Sequence, residues 1–205
     1  MKVLLVNGSK HEKGCTYTAL CEVAKALNAN GVETEIYQLN GKDIQGCKGC
    51  WACKKTKKCV YDDGVNEFVE MAAQFDGFVF GSPVYYASAA GTLVSFMDRV
   101  FYSGGKNLAF KPAAAVVSCR RAGASTTFDV INKYFTINNM PIVGSNYWNE
   151  IHGNTAEEAL QDEEGLQTMR ILGNNMAWLL KCLELGKEAG VEPVRERKIM
   201  TNFIR

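Results

Sequence analysis

The apolar run Val3-Leu4-Leu5-Val6 stops at Asn7-Gly8, gives way to a polar stretch from Ser9 to Thr16, and resumes as Ala19, Leu20, Val23, Ala24 and Leu27 at helical spacing. An unbroken, partly β-branched run suits a strand buried on both faces, and a period near 3.6 suits a helix covered on one. The chain therefore opens as strand, polar loop and helix, and a parallel sheet follows if that alternation is kept up, each strand returning through a crossover. Four more short apolar runs follow. Glu33 to Leu39 alternates as an edge strand does, Phe78-Val79-Phe80 ends at Gly81-Ser82-Pro83, Pro112 to Ser118 is small and β-branched, and Met140 to Val143 gives a short fifth strand. Between them, helical spacing links Val65, Phe68, Val69 and Ala72, with Asp62 or Asp63 as the cap, then Ala90, Leu93, Val94, Met97 and Val100, then Phe128, Ile131 and Phe135. A long last helix carries Leu166, Met169, Leu172, Met176, Leu179 and Leu183, and a charged tail runs from Pro193 to Arg205. The pattern predicts an α/β fold with a three-layer, doubly wound, five-stranded parallel sheet. No Pro/Ser-rich linker or charge run divides the 205 residues, so 1–205 is expected to form a single domain.

Several function classes fall away on composition. A net charge of +1 supplies no field for nucleic acid or an anionic membrane, and no apolar stretch reaches the length of a membrane span. Met1-Lys2 runs directly into strand residues, which leaves no room for a secretory leader, so the expected address is the cytoplasm.

Ligands of such sheets bind outside the carboxyl ends of the strands, where the polar loops at 7–17, 81–88 and 118–125 should converge. The first loop lacks both G-x-G-x-x-G and the P-loop pattern. It offers Ser9, Lys10, His11, Gly14, Cys15, Thr16 and Tyr17 at a helix start, where free amides and the positive end of the helix dipole suit one terminal phosphate better than a pyrophosphate. A flat conjugated ring needs apolar and aromatic walls with a few backbone groups, which Pro83-Val84-Tyr85-Tyr86-Ala87 can supply.

Half of the eight cysteines fall between 47 and 59, in an excursion from Asn40 to Tyr61 with no periodicity. In a cytosolic chain such thiols are reduced, or ligate a metal or cluster, before they form disulfides. Cys47, Cys50, Cys53 and Cys59 make C-x2-C-x2-C-x5-C, whose first three spacings are those of bacterial ferredoxins, with Val60 in place of the usual Pro. Zinc, which favours two knuckles across a longer gap, is the less natural reading, and the spacing is also compatible with unligated thiols or a disulfide. Lys54, Lys55, Lys57 and Lys58 either offset the charge of a thiolate-bound cluster or form a solvated face. Cys21 and Cys182 are expected to pack in helices as small hydrophobes.

The motifs NGS-x4-GCT, GSPVYYASAAGTLVSFMDR, NMPIVGSNYWNEIHG and EGLQTMRILGNNMAWLLK resemble the flavodoxin-like NAD(P)H-dependent FMN reductases, in their iron-sulfur flavoprotein branch, over nearly the whole chain. The resemblance implies strand order 2-1-3-4-5 and FMN as ligand. It places Ser9, Thr16 and Tyr17 around the phosphate, with Pro83 to Ser88 (Val84, Tyr85, Tyr86 and Ser88 among them) and Ser118 to Gly123 (including Arg120 and Arg121) bordering the ring. It favours a [4Fe-4S] cluster on the four cysteines. Lys10 and His11 stand where Pro and Arg are usual in the commoner GSPRxxGNT form, and Cys15 stands where Asn is usual and loses an amide donor.

The implied function is an FMN-dependent oxidoreductase that takes hydride from NAD(P)H and passes electrons to a cluster, a quinone-like acceptor or a redox protein such as ferredoxin. The chemistry resides on the flavin, and no catalytic acid or base is called for. The rival readings are a flavodoxin-type electron carrier and a thiol or metal redox sensor. A homodimer or homotetramer is expected, because the helix from Ala89 to Tyr102 carries Phe96 and Phe101 off its main stripe and the polar, aromatic segment Ser145 to Gly153 reads as a lid or interface. The resemblance implies that aromatic residues of one subunit help cover the flavin of another.

Overall fold

Successive residues of β1 (Lys2–Asn7) face opposite layers: Leu4 and Val6 enter one apolar core, Val3 and Leu5 the other. This is why the run shows no alternation, since both faces of the strand are covered. The computed structural model describes residues 1–197, 199–201 and 203, so Lys198, Asn202, Ile204 and Arg205 of the charged tail lie outside the described residues. After β1 come α1 (Cys15–Ala29), β2 (Glu33–Gln38), α2 (Ala52–Thr56), α3 (Val65–Met71), β3 (Gly77–Tyr85), β4 (Ser88–Ala89), α4 (Gly91–Gly104), β5 (Ala113–Cys119), α5 (Ala124–Ile137), β6 (Glu150–His152), α6 (Ala156–Ala159) and α7 (Glu163–Glu188). The strands order as β2-β1-β3-β5-β6, every neighbouring pair parallel. The two-residue β4 folds back antiparallel on the end of β3. With β4 set aside, this is the flavodoxin-like 2-1-3-4-5 order. Helices α3, α4 and α5 cover one face of the sheet, and α1 and α7 cover the other. Among the described residues no helix is long and apolar enough to cross a membrane.

Four expectations change. The fifth strand is split. Ile142 makes only an isolated bridge to Ala113, and the ladder with β5 re-forms at Glu150–His152. Only Ile151 of that strand is buried, so its sequence carries no apolar run to announce it. The segment read as a lid or interface from Ser145 to Gly153 is therefore partly sheet. Across the break, Asn149 stands in for a strand: its backbone carbonyl accepts from Val117 N at 2.9 Å, and its side-chain amide donates to Ala115 O at 3.0 Å.

Helix α3 is capped by Gly64, at φ 95°, rather than by Asp62 or Asp63. Phe96 and Phe101 are packed within the chain. Phe96 stacks edge-on to Phe68 at 4.9 Å, and Phe101 lies 5.5 Å from Tyr134 and 6.2 Å from Phe80, so the second apolar face of α4 is covered by α3 and α5. Cys182 is exposed on α7, and Cys21 is only half-buried.

The layer opposite depends on close approach of α1 and α7. A Cβ on Gly173 would lie 2.6 Å from Ala26 Cβ and 2.7 Å from the Val23 carbonyl oxygen, a backbone atom that cannot turn aside. Gly173→Ala is therefore expected to destabilise the chain by about 1–3 kcal/mol, overpacking outweighing the gain in helix propensity. Thermal unfolding followed by circular dichroism checks this, and an unchanged or raised midpoint would mean that the two helices can separate freely.

Candidate functional site

The carboxyl end of β1 is fixed by a side chain that the sequence pattern does not flag. Asn7, buried at the strand end, accepts from Ser9 N (3.2 Å) and donates to the Glu12 carbonyl (3.2 Å) and to Gln38 Oε1 on β2 (2.8 Å). Ser9 Oγ in turn accepts from His11 N at 3.0 Å. The turn is pressed against β3, because Gly8 N donates to the Gly81 carbonyl at 2.9 Å and a Cβ on Gly8 would stand 2.7 Å from that oxygen. Helix α1 then opens from Gly14 with no side-chain cap and no acidic residue in its first turn. Its leading amides and the positive end of its dipole are left for an external acceptor.

Those amides border a cavity of about 630 Å³, within the range of small-molecule sites. Its wall is built from Ser9 and 11–16 of the first loop, 83–85 after β3, 118–120 after β5, and 153–157 leading into α6. The first and third loops meet at a buried hydroxyl pair, Thr16 Oγ1 and Ser118 Oγ at 2.8 Å. The fourth segment is joined to α1 by the Cys15 thiol, which donates to the carbonyls of Thr155 (3.1 Å) and Gly153 (3.4 Å). Burial pushes the Cys15 thiol up, and Glu158 and Glu157 push it further, so it remains a protonated donor at neutral pH.

Of the residues singled out from sequence, Ser9, His11, Cys15, Thr16, Pro83, Val84, Tyr85, Ser118 and Arg120 line this cavity. The structure places the others elsewhere. Lys10 is exposed, with its amide 3.4 Å from the Tyr85 hydroxyl. Tyr17 turns along α1 to Cys21. Tyr86 is fully exposed at the hairpin tip with φ 61°, Ser88 pairs with Tyr85 in β4, and Arg121 is exposed. Gly123, at φ 88°, begins α5, where a Cβ would meet Val84 at 2.9 Å. Cys119, within the stretch expected to border the ring, is also on the wall, while Glu12, Lys13 and the segment Asn154 to Glu157 are wall residues not singled out from the sequence. Thr155-x-x-Glu158 has the capping-box sequence, the local signal that could have marked α6: Thr155 Oγ1 accepts from Glu158 N, and the Glu158 carboxylate reaches back to Asn154 N, one residue before the cap.

A second, much smaller cavity of about 30 Å³ gathers all four clustered cysteines, Cys47, Cys50, Cys53 and Cys59, with Trp51, Tyr61, Arg99 and Tyr102. Among the described residues no three His, Cys, Asp or Glu side chains stand close enough to hold a single metal ion, and every cysteine is free. Lys48, itself on the wall, lies over Tyr61 (4.9 Å), Lys54 lies over the wall residue Trp51 (3.9 Å), and Lys58 pairs with Glu70 (2.7 Å). The buried charge at the cavity is Arg99, in the middle of α4 and paired through both terminal nitrogens with Asp63, the Nη2–Oδ1 distance being 2.8 Å. Burial alone would raise the Asp63 carboxyl, but Arg99 and the Gln45 amide hold it below the usual carboxylate range.

Residues 1–155 match the family described as NADPH-dependent FMN reductase. An iron-sulfur flavoprotein of Methanocaldococcus jannaschii is 32% identical over 195 residues, covering 90% of this chain and 100% of that one. The fold superposes on RosB with the bound intermediate 8-demethyl-8-formylriboflavin-5'-phosphate at a TM-score of 0.72, with 14% identity, covering 99% of this chain and 92% of RosB. It superposes on a flavodoxin from the domain Archaea at 0.60, with 15% identity, covering 88% and 99%.

The Arg99–Asp63 pair gives a pH signature. A depressed carboxylate contributes stability that is fully present above its unfolded value, near 4, and is lost as the pH falls through the folded value. Asp63→Asn is expected to cost about 3–5 kcal/mol at neutral pH, because it strands a buried guanidinium, and the gap from the parent should narrow below about pH 4. Urea unfolding at stepped pH measures this; a gap that stays constant into strong acid would assign the cost to packing instead.

Proposed function

The chain belongs to the family of NADPH-dependent FMN reductases, and from that premise we propose that it is an FMN-dependent oxidoreductase drawing hydride from NAD(P)H and delivering electrons through a [4Fe-4S] cluster to a ferredoxin or quinone-like acceptor. The observation that carries the flavin site is the uncapped, acid-free start of α1 at the rim of a cavity of about 630 Å³. The residues fit the group. A monophosphate answers the unpaired first-turn amides, with the Ser9 and Thr16 hydroxyls beside them, and the cavity shows no second glycine-rich turn for a pyrophosphate. Of the two residues that stand where Pro and Arg are usual, His11 is on the wall and Lys10 is not, which supports His11 over Lys10 as the side chain that meets the phosphate. Pro83, Val84 and Tyr85 offer the apolar and aromatic side of the ring site, and Ser118 to Arg120 the polar side. FMN, when bound, supplies the hydride-accepting ring. The protein's work is to hold it, exclude water from its inner face and leave room for the nicotinamide.

For the cluster, the support is a pure thiolate set around one cavity, together with the name iron-sulfur flavoprotein carried by the Methanocaldococcus jannaschii relative. Thiolates are the ligands such clusters take, and a multi-iron cluster spreads its ligands wider than a single ion does. Cys47 and Cys50 are exposed on irregular backbone and can rotate to admit it. The cysteine cavity lies against Arg99 and Tyr102, roughly 12–17 Å along α4 from the helix start. The helix begins two residues beyond Ala89, the strand partner of Val84 on the ring side. A homodimer or homotetramer belongs to the same reading, supported by exposed Tyr147, Trp148 and Trp178, as does a cytoplasmic address, where thiols stay reduced.

Chromophore extracted from the purified protein is expected to be FMN and not FAD, and Thr16→Val should weaken its retention by roughly ten- to a hundredfold, the worth of one hydrogen bond to a charged group. Flavin fluorescence titration reads both; FAD in the extract, or undiminished affinity in the variant, contradicts the phosphate assignment. After anaerobic reconstitution, Cys53→Ser should lose cluster iron and sulfide while keeping FMN. A parent chain that takes up neither iron nor sulfide under those conditions would leave an FMN reductase whose cysteine loop has a thiol role.

A further inference from the structure

Cys59 is held differently from the other three thiols. Its backbone is gripped on both sides by one side chain, since Cys59 N donates to Asn66 Oδ1 at 2.8 Å and Asn66 Nδ2 donates to the Cys59 carbonyl at 2.9 Å. Its sulfur accepts from Arg99 Nε at 3.2 Å. Arg99, which makes this bond, is 2% exposed. Its two terminal nitrogens grip the Asp63 carboxylate, and Nη1 also donates to the Gln45 carbonyl at 2.9 Å. The Tyr61 ring lies 4.9 Å away. All of these partners stand on the two stems that flank the cysteines, Gln45 before Cys47 and residues 59 to 63 after Cys53.

An ion pair that served only to close the loop would be complete with the carboxylate and the carbonyl. The fork geometry of arginine leaves a third donor in the same plane, and here that donor points at sulfur. We propose that Arg99 is a positioning residue for Cys59: its Nε–H fixes the sulfur as the pre-set ligand to which the other three thiols are added, and raises the reduction potential of the cluster they hold. The inference rests on the cluster assignment above. A hydrogen bond to a ligand sulfur withdraws electron density from it and favours the more negative, reduced state of the cluster. Asp63 cancels most of the guanidinium's net charge, so the directional N–H···S contact carries the effect. Lysine offers one nitrogen where arginine offers three in a plane, and so cannot hold the carboxylate and the sulfur in the same arrangement.

The test uses the full-length chain, reconstituted anaerobically. Redox titration followed by electron paramagnetic resonance is expected to give Arg99→Lys a more negative cluster potential than the parent, with FMN content and flavin potential unchanged. Loss of the cluster in that variant, with FMN retained and the unfolding transition intact, also supports the positioning role. A cluster-loaded variant titrating at the parent's potential overturns it. A second measurement needs no variant: in parent protein grown with isotopically labelled arginine, pulsed resonance on the reduced cluster should show hyperfine coupling to arginine nitrogen. Absence of that coupling refutes the contact even if the variant does not fold. A loaded parent with neither effect sinks this inference alone, whereas a parent that binds no iron or sulfide sinks the cluster assignment and this inference with it.

Discussion

Every strand in the centre of this sheet is covered on both faces, and that constraint decides where polar chemistry can go. Val3 to Val6 and Ala113 to Val117 have no accessible surface, so no titratable or hydroxyl-bearing residue has a place along them except at their ends. Right-handed crossovers carry each following helix to one layer or the other while its entry loop stays at the carboxyl edge. Asn7, Pro83 and Ser118 are therefore neighbours for topological reasons before any of them is chosen for chemistry. The buried Thr16–Ser118 hydroxyl pair shows how closely the loops then meet. The main cavity is wide because four such segments diverge from it, and it is polar because the strands have no apolar residues left to contribute there.

The cysteine cavity obeys a different constraint. It lies on the outer side of α4, where no strand end supplies order, and its order comes from a single buried cation. A guanidinium removed from water must have nearly all its donors satisfied. Arg99 meets that requirement only by drawing in Gln45, Cys59 and Asp63 together, so burying one charge on α4 organises a loop with almost no regular structure of its own. The four cysteines share a site because both stems of their loop answer to the same side chain.

Much of this is legible in the chain. Unbroken apolar runs mark the central strands, the alternation of Glu33 to Leu39 marks an edge, and the polar loops can be found because topology, rather than residue type, places them. What stays hidden has specific causes. Glu150-Ile151-His152 carries one buried apolar residue and looks like loop. Phe96 and Phe101 look outward-facing because a single-stripe reading of α4 cannot see that α3 and α5 flank it on two sides. Residue type does not say which of two adjacent candidates turns inward: His11 and Tyr85 reach the wall while Lys10 and Tyr86 do not, a matter of backbone angles such as the φ of 61° at Tyr86. The Arg99–Asp63 pair joins residues 36 apart in sequence, and nothing local announces it.

The outer margin of β5 is finished in an unusual way. Between the bridge at Ile142 and the ladder at Glu150, no strand runs beside it, and the side-chain amide of Asn149 closes the Ala115 carbonyl that a neighbouring strand would have taken. The sheet thus ends in a plug and not in an open row of donors and acceptors, which denies a second chain the template it would need to add a strand there. Both ends of the break are pinned by their own bonds to β5, so the order of the sheet does not depend on the chain between them, which is tied instead to α7 through Asn175 Nδ2 and the Gly144 carbonyl at 2.9 Å. The length of that chain can change without disturbing the order of the sheet. Related sequences are thus best aligned by the two pinned ends rather than through the segment between them.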